Sequence, residues 1–177
     1  SGLPNRTYFK DLVRSIIQKS PLESYAAFFV IDIDDFKHVN DSFGHPVGDE
    51  LLCRLADRIN LISGPDTCFS RFGGDEFVGM LAGFETAADA ETAARQTLMS
   101  LAGTYEVASQ SLAVTISSGI VINRSHAFDL QQMMIKSDLA LYESKTRGKG
   151  ISTLFAEAMD ERYQKRQRLK ADLKNAI

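Results

Sequence analysis

Residues Arg71-Phe72-Gly73-Gly74-Asp75-Glu76-Phe77 place two glycines directly before two carboxylates. Paired glycines mark a tight turn, or a place where another backbone or a ligand comes close. The flanks are apolar, with Cys68 and Phe69 before and Phe77, Val78 and Met80 after. This pattern predicts a strand, a glycine turn and a second strand, with acid at the tip. Adjacent like charges cost stability there, but they suit a divalent cation held beside a polyphosphate. A solvated hairpin tip carries the same residues, so this segment alone leaves both readings open.

A second acidic segment is Phe28-Phe29-Val30-Ile31-Asp32-Ile33-Asp34-Asp35-Phe36-Lys37-His38-Val39-Asn40-Asp41. It reads as a buried strand that ends in carboxylates, with Asp32 still inside it. If the glycine hairpin is its neighbour in one sheet, Asp32 lies beside Asp75 and Glu76. Converging carboxylates with no balancing arginine repel unless a cation sits between them. Oxygen ligands select hard ions such as Mg2+ or Mn2+. Mg2+ takes one or two carboxylates and completes its shell with substrate phosphates and water. Asp34 and Asp35 read equally as an exposed loop that caps the next helix.

Gly44-His45-Pro46-Val47-Gly48-Asp49-Glu50 then enters a helix, whose first amides and dipole favour anions. Asn40 and Asp49 supply an amide and a carboxylate for a purine edge, because a carboxylate accepts two N–H donors from guanine. Asn40, Asp41 and Asp49 also suit turns and caps. Lys145-Thr146-Arg147-Gly148-Lys149-Gly150 closes a later helix. It reads either as a phosphate clamp or as ordinary basic residues complementing a helix dipole.

The elements that must position these groups follow from periodicity. A first helix runs to about Ser20, capped by Asn5 or Thr7, with Phe9, Leu12, Val13, Ile16 and Ile17 on one stripe. Tyr25 to Ile33 is a central strand buried on both faces. Asp34 to Phe43 is a short helix or turn, and a long helix runs from about Pro46 to Ile62. After the hairpin come a helix over Thr86 to Ala102 and one strand over Leu112 to Ile122. A helix over Asp129 to Thr146, capped by Asp129 or an earlier residue, a strand over Ile151 to Phe155, and a helix over Ala156 to Ile177 follow. Without its first and last helices the order is the ferredoxin-like βαββαβ plan, an α/β (α+β) fold with a central antiparallel sheet flanked by helices.

The 177 residues fit one domain, and 44% hydrophobic with 24% charged residues is a globular balance. A net charge of −3 gives no basic surplus for duplex nucleic acid. Cys53 and Cys68 sit in apolar contexts, lack metal-ligand spacing and read as buried free thiols of a reducing compartment, the cytoplasm. No apolar run is long enough for a membrane span, so this segment implies no direct membrane contact. Both ends read as cut from a longer protein, which leaves room for a membrane-anchored parent.

Taken together, these motifs resemble the GGDEF domain, the diguanylate cyclase family, over residues 1–155. The resemblance rests on Gly2-Leu3-Pro4-Asn5-Arg6, the Asp32 to Asp41 run, Phe43-Gly44-His45 with Gly48-Asp49-Glu50, and the glycine hairpin. Asp138-Leu139-Ala140-Leu141-Tyr142 leading to Lys145 and Gly148 completes it. It implies a nucleotidyl cyclase and polymerase-palm fold. It also implies condensation of two GTP into cyclic di-GMP with release of pyrophosphate. Each domain would bind one GTP, so a homodimer would be needed. Asp32 would hold Mg2+ (or Mn2+) by its side chain and Ile33 by its carbonyl, with Asp75 and Glu76 as the acidic pair. Asp75 would take the 3′-hydroxyl proton and Lys37 would stabilise phosphate charge. The backbone around Phe36, with Gly73 and Gly74, would adjoin the substrate. Asn40 and Asp49 would contact guanine, His45 would line the site, and Lys145 and Lys149 would clamp phosphates.

Two departures stand out. The family's inhibitory product site is an Arg-x-x-Asp just before the hairpin, where this chain has Gly64-Pro65-Asp66-Thr67. High-affinity product inhibition through that site is therefore not expected. The family's usual arginine at the clamp is Lys149, which keeps the charge and loses the bidentate fork. The stretch from Arg168 to Ile177 resembles the connector into an EAL phosphodiesterase domain, so residues 156–177 are expected to lead toward a fused downstream domain. The alternative function is a catalytically silent GTP-binding module that controls such a phosphodiesterase.

Overall fold

The computed structural model describes residues 2–164. Strand β1 (Tyr25–Ile33) is buried from Ala26 onward, and its near-continuous apolar sequence is what a strand covered on both faces requires. It pairs antiparallel with β3 (Glu76–Phe84) on one side and β6 (Ile116–Arg124) on the other. Strand β2 (Thr67–Gly73) lies outside β3, and β7 (Ser152–Leu154) runs parallel to β6 at the far edge. The sheet order is β2-β3-β1-β6-β7. Its first four strands have the ferredoxin-like arrangement expected from the element order.

Helices cover both faces. On one, α1 (Arg6–Lys19) and α5 (Leu130–Thr146) bring Phe9, Val13, Met133 and Leu141 against Phe28, Val30, Val78 and Met80. On the other, α3 (His45–Ile62) and α4 (Ala87–Leu101) bring Leu51, Leu55, Ile59, Ala94 and Leu98 against Phe29, Ile31 and Phe77. Side chains alternate across a strand, so Asp32 shares the α1/α5 face with Phe28 and Val30. Three helix starts are capped by side chains. Asn5 accepts from the Tyr8 amide at 2.9 Å, Thr86 from Asp89 at 3.1 Å and Asp129 from Gln132 at 2.9 Å.

One glycine fixes how α5 lies on the sheet. A Cβ at Gly119 of β6 would stand 1.9 Å from the Ser137 carbonyl oxygen and 2.4 Å from the Leu141 amide nitrogen. Only a residue without a side chain lets the helix backbone approach that closely. Lys145 lies one turn beyond Leu141 on the same helix face, so this contact also sets where Lys145 stands.

The expected single strand over Leu112 to Ile122 is two strands. Residues Gly103–Val107 (β4) and Gln110–Val114 (β5) form a separate hairpin, and β6 starts beyond Thr115. Its turn residues Ala108 and Ser109 have φ of 49° and 65°. Glycine or asparagine ordinarily marks such left-handed positions, and neither is present. The segment before the long helix is a short helix, α2 (Phe36–Phe43), joined to α3 through Gly44 at φ 87°. Residues 158–164 are helical; the remainder of the helix expected to Ile177 lies outside the described residues. Among the described residues no helix is long and apolar enough to cross a membrane.

Candidate active site

The two acidic segments meet at one end of the sheet. Asp32 lies opposite Glu76 across the β1–β3 pair and opposite Ser117 across β1–β6. Directly opposed residues share a face, so Asp32 and Glu76 both belong to the α1/α5 side. Asp75 sits in the turn between β2 and β3, after Gly74 at φ 51°. Arg71 braces this turn, its Nε donating to the Gly74 carbonyl at 2.9 Å. No atom lies within 4 Å of a Cβ built at Gly73 or Gly74. These glycines therefore keep a bare, open backbone rather than close packing.

Asp32 is only 8% exposed. Burial pushes its carboxyl above the usual carboxylate range, Lys145 opposes that shift, and the charges of Asp75 and Glu76 add to it. Lys145 Nζ stands 2.6 Å from Asp32 Oδ2. The balancing charge that no arginine supplies thus comes from a lysine far along the chain.

The next two acids do different work. Asp34 is buried and accepts from Ser117 Oγ at 2.7 Å and from the Gly150 amide at 2.8 Å. Its own amide donates to the Thr115 carbonyl at 3.0 Å. It ties the end of β1 to β6 and to the basic turn after α5. Asp35 is exposed, left-handed at φ 55°, and pairs with Lys149 Nζ at 2.7 Å. Hydrogen bonding to Lys149 holds the Asp35 carboxyl below its ordinary value, and the same bond raises Lys149.

Phe36, Lys37 and Asn40 lie on α2, and His45 and Asp49 on α3. Lys37, His45 and Asp49 are exposed; Phe36 and Asn40 are half-buried. A Cβ at Gly48 would meet Asn40 Oδ1 at 1.9 Å and Phe36 Cζ at 3.2 Å. The two helices therefore close on this glycine, which brings Asn40 against the residue next to Asp49. The motif contains Gly48, but its packing role needs the third dimension to appear.

A cavity of about 310 Å³ opens beside the acidic strand ends, lined in part by Arg6, Phe72, Glu76, Asp138, Tyr142 and Lys145. The Arg6 guanidinium lies over the Phe72 ring, 4.5 Å from its centroid. Asp138 reaches solvent at the rim, but partial burial and then the charge of Glu76 push its carboxyl up. Sequence reasoning gave no role to Arg6 or Arg71, although each stands inside a quoted motif. Asp34, open there to an exposed-loop reading, is instead buried, and α2 has no side-chain cap. A larger hollow of about 720 Å³ between α1 and α5 contains none of the expected site residues, so size does not mark the site.

No three His, Cys, Asp or Glu side chains among the described residues converge into a cage that holds a metal unaided. The donor set instead fits an ion that arrives with phosphates: carboxylates of Asp32, Asp75 and Glu76, with the Ile33 carbonyl at the end of β1. Mg2+ is bound in that way, through one or two carboxylates plus substrate oxygens.

The family model for "Diguanylate cyclase, GGDEF domain" matches residues 1–150. The chain belongs to the GGDEF domain family. This GGDEF domain is 32% identical over 177 residues to the bifunctional diguanylate cyclase/cyclic di-GMP phosphodiesterase MucR of Pseudomonas aeruginosa, covering 99% of the chain and 26% of MucR. It is 32% identical over 164 residues to the diguanylate cyclase TpbB of the same species, covering 92% of the chain and 38% of TpbB. It is also 29% identical over 177 residues to the cyclic di-GMP phosphodiesterase PdeR of Escherichia coli, covering all of the chain and 26% of PdeR. The chain thus spans well under half the length of these relatives. Among solved structures, the crystal structure of the TpbB GGDEF domain superposes with a TM-score of 0.77 at 29% identity, over 88% of this chain and 98% of that one. The DgcB GGDEF domain of Caulobacter crescentus, in complex with cyclic di-GMP, gives 0.73 at 27% identity, over 87% and 89%. The mixed α/β sheet flanked by helices is the fold of these domains.

Proposed function

We propose that this domain condenses two GTP into cyclic di-GMP and pyrophosphate, with one GTP on each of two domains that meet face to face. The observation that carries the reading is Asp32 opposite Glu76 in register, with Asp75 at the adjoining turn. In each half-reaction a 3′-hydroxyl oxygen attacks the α-phosphorus of the facing GTP. The bond from that phosphorus to the pyrophosphate oxygen breaks. Asp75 accepts the hydroxyl proton.

Phosphoryl-type transfer is mostly positioning and charge neutralisation. Lys37, Lys145 and Lys149 take phosphate charge, the open backbone of Gly73 and Gly74 admits the substrate, and the backbone around Phe36 adjoins it. Asn40 and Asp49 hold guanine, and His45 lines the same opening. Asp32, Asp75, Glu76 and the Ile33 carbonyl would hold Mg2+ (or Mn2+), which supplies Lewis-acid stabilisation of the phosphates. The reading assigns the domain to the cytoplasm, where GTP is, as one part of a longer protein. Its dimerising segment and a fused EAL domain belong to that parent.

A second reading has its own support. Lys145 and Lys149 are both held by acids, and some relatives of the chain are phosphodiesterases. On that reading the domain binds GTP without turnover and controls an attached EAL phosphodiesterase. Incubating the full-length parent with GTP and Mg2+ and separating the products decides between them. Cyclic di-GMP that vanishes with Asp75→Ala supports catalysis. GTP binding without product supports the regulatory module, and failure to bind GTP overturns both.

A further inference from the structure

We propose that Asp35 is a built-in competitor for the nucleotide's phosphates: it occupies Lys149 until GTP displaces it, and so sets GTP affinity. This rests on the reading of Lys149 as a phosphate ligand.

The geometry is specific. Asp35 and Lys149 are 114 residues apart and meet at 2.7 Å. Both are left-handed, at φ of 55° and 62°, a conformation that non-glycine residues seldom adopt. Each backbone is held there by its surroundings. Asp35 follows Asp34, which is fixed by Ser117 and the Gly150 amide. The Lys149 amide donates to the Ser144 carbonyl at 3.2 Å. The basic turn is thus fastened to the β1 end through Asp34 whether or not the Asp35 pair is closed. The pair itself is open to water, with side-chain exposures of 67% for Asp35 and 46% for Lys149. Asp34 is therefore the structural clasp, and Asp35 carries an exchangeable contact.

An exposed carboxylate is a weak partner for an ammonium, and a triphosphate carries more charge and more acceptor oxygens. Exchange therefore favours the nucleotide, at the cost of one ion pair. An exposed pair is cheap to break, so the expected change in dissociation constant is at most about fivefold. Lysine suits such an exchange better than arginine. Its single point charge has no bidentate lock on a carboxylate to undo.

The test is a double-mutant cycle on GTP affinity with Mg2+ present, using the chain itself with Asp35→Asn, Lys149→Met and the double variant. Asparagine tolerates the left-handed backbone, so the fold is kept, and thermal melts check this. The expected result is GTP binding about two- to fivefold tighter in Asp35→Asn, with most of that gain lost when Lys149 is methionine. A gain of the same size in the Lys149→Met background would mean simple charge repulsion and overturn the proposal. So would unchanged affinity in Asp35→Asn while GTP still binds, and in that case the GTP reading survives. No GTP binding by any of the four proteins removes the reading and the proposal together. A structural role alone would move the melting temperature without producing this coupling.

Discussion

Lys145 Nζ and Asp32 Oδ2 stand 2.6 Å apart at the end of the central strand. The lysine expected on the substrate's phosphates is thus bound to the carboxylate expected on the metal. A cation arriving with a polyphosphate would satisfy both at once, taking the carboxylate and freeing the ammonium for phosphate oxygens. The neutral isostere should separate function from stability here. Asp32→Asn is expected to abolish cyclisation without destabilising the ligand-free chain.

The sign follows from the shift. Burial raises the Asp32 carboxyl above its ordinary value, so the fold disfavours its charged form. Its relative contribution to stability is present at acid pH and is lost as pH rises through the raised folded value. At neutral pH Asp32→Asn removes that cost, so the melting temperature should rise rather than fall. The advantage should shrink as pH falls and Asp32 itself protonates. Thermal melts from neutral to acid pH check this. A melting temperature several degrees lower at neutral pH would mean that the Lys145 pair outweighs burial.

Gly48→Ala should weaken GTP binding while leaving stability nearly unchanged. The new methyl group would collide with Asn40 Oδ1 and press on Phe36, and Asn40 is a flexible side chain that can swing away. Alanine is a better helix former than glycine by about 1 kcal/mol, which offsets the strain. Calorimetric titration with GTP and a thermal melt on the same sample separate the two effects.

Gly119→Ala has no such escape, because the colliding atoms are the backbone of α5 at Ser137 and Leu141. Overpacking of this kind costs about 3 kcal/mol or more. Chemical denaturation should show a lower midpoint. Folded protein that remains should also lose activity, since Lys145 rides on the displaced helix. An unchanged midpoint would contradict this packing.

The two thiols should differ sharply. Contrary to the expectation of two buried thiols, Cys53 is exposed, because it lies off the buried stripe of α3 formed by Leu51, Leu52, Leu55 and Ile59. Cys68 is buried in β2, and burial pushes its thiol up to about 12. Only the thiolate reacts readily, so one thiol per chain should react with a disulfide reagent in the native state at neutral pH. Both should react after denaturation. Fast native reaction of two thiols would show that β2 opens.

The central strand and the acidic hairpin were legible because each carries a strong local signal. Tyr25 to Ile33 is apolar on both faces, and Gly73-Gly74 announces a turn. The β4–β5 hairpin was not, because Ala108 and Ser109 hold left-handed positions without a turn residue. The site's acids and bases could be picked out by type, but their pairing could not. Lys145 on Asp32 and Lys149 on Asp35 join residues more than a hundred positions apart. The split between Asp34 as clasp and Asp35 as exchangeable partner depends on which carboxylate the Gly150 amide reaches.

The turn before the hairpin bears on regulation. Where the family carries an Arg-x-x-Asp for its inhibitory product, this chain has Gly64-Pro65-Asp66-Thr67 closed on itself. The Gly64 amide donates to Thr67 Oγ1 at 2.7 Å, Thr67 Oγ1 donates back to the Gly64 carbonyl at 2.9 Å, and the Asp66 carbonyl accepts from Ala82 at 3.0 Å. A dianionic product needs a fixed cationic fork at such a site, and neither glycine nor threonine supplies one. Cyclic di-GMP added to a running cyclase assay should therefore not inhibit at sub-micromolar concentration. Replacing Gly64 with Arg and Thr67 with Asp together should create measurable inhibition. Potent inhibition of the unmodified chain would show that the product binds through another surface.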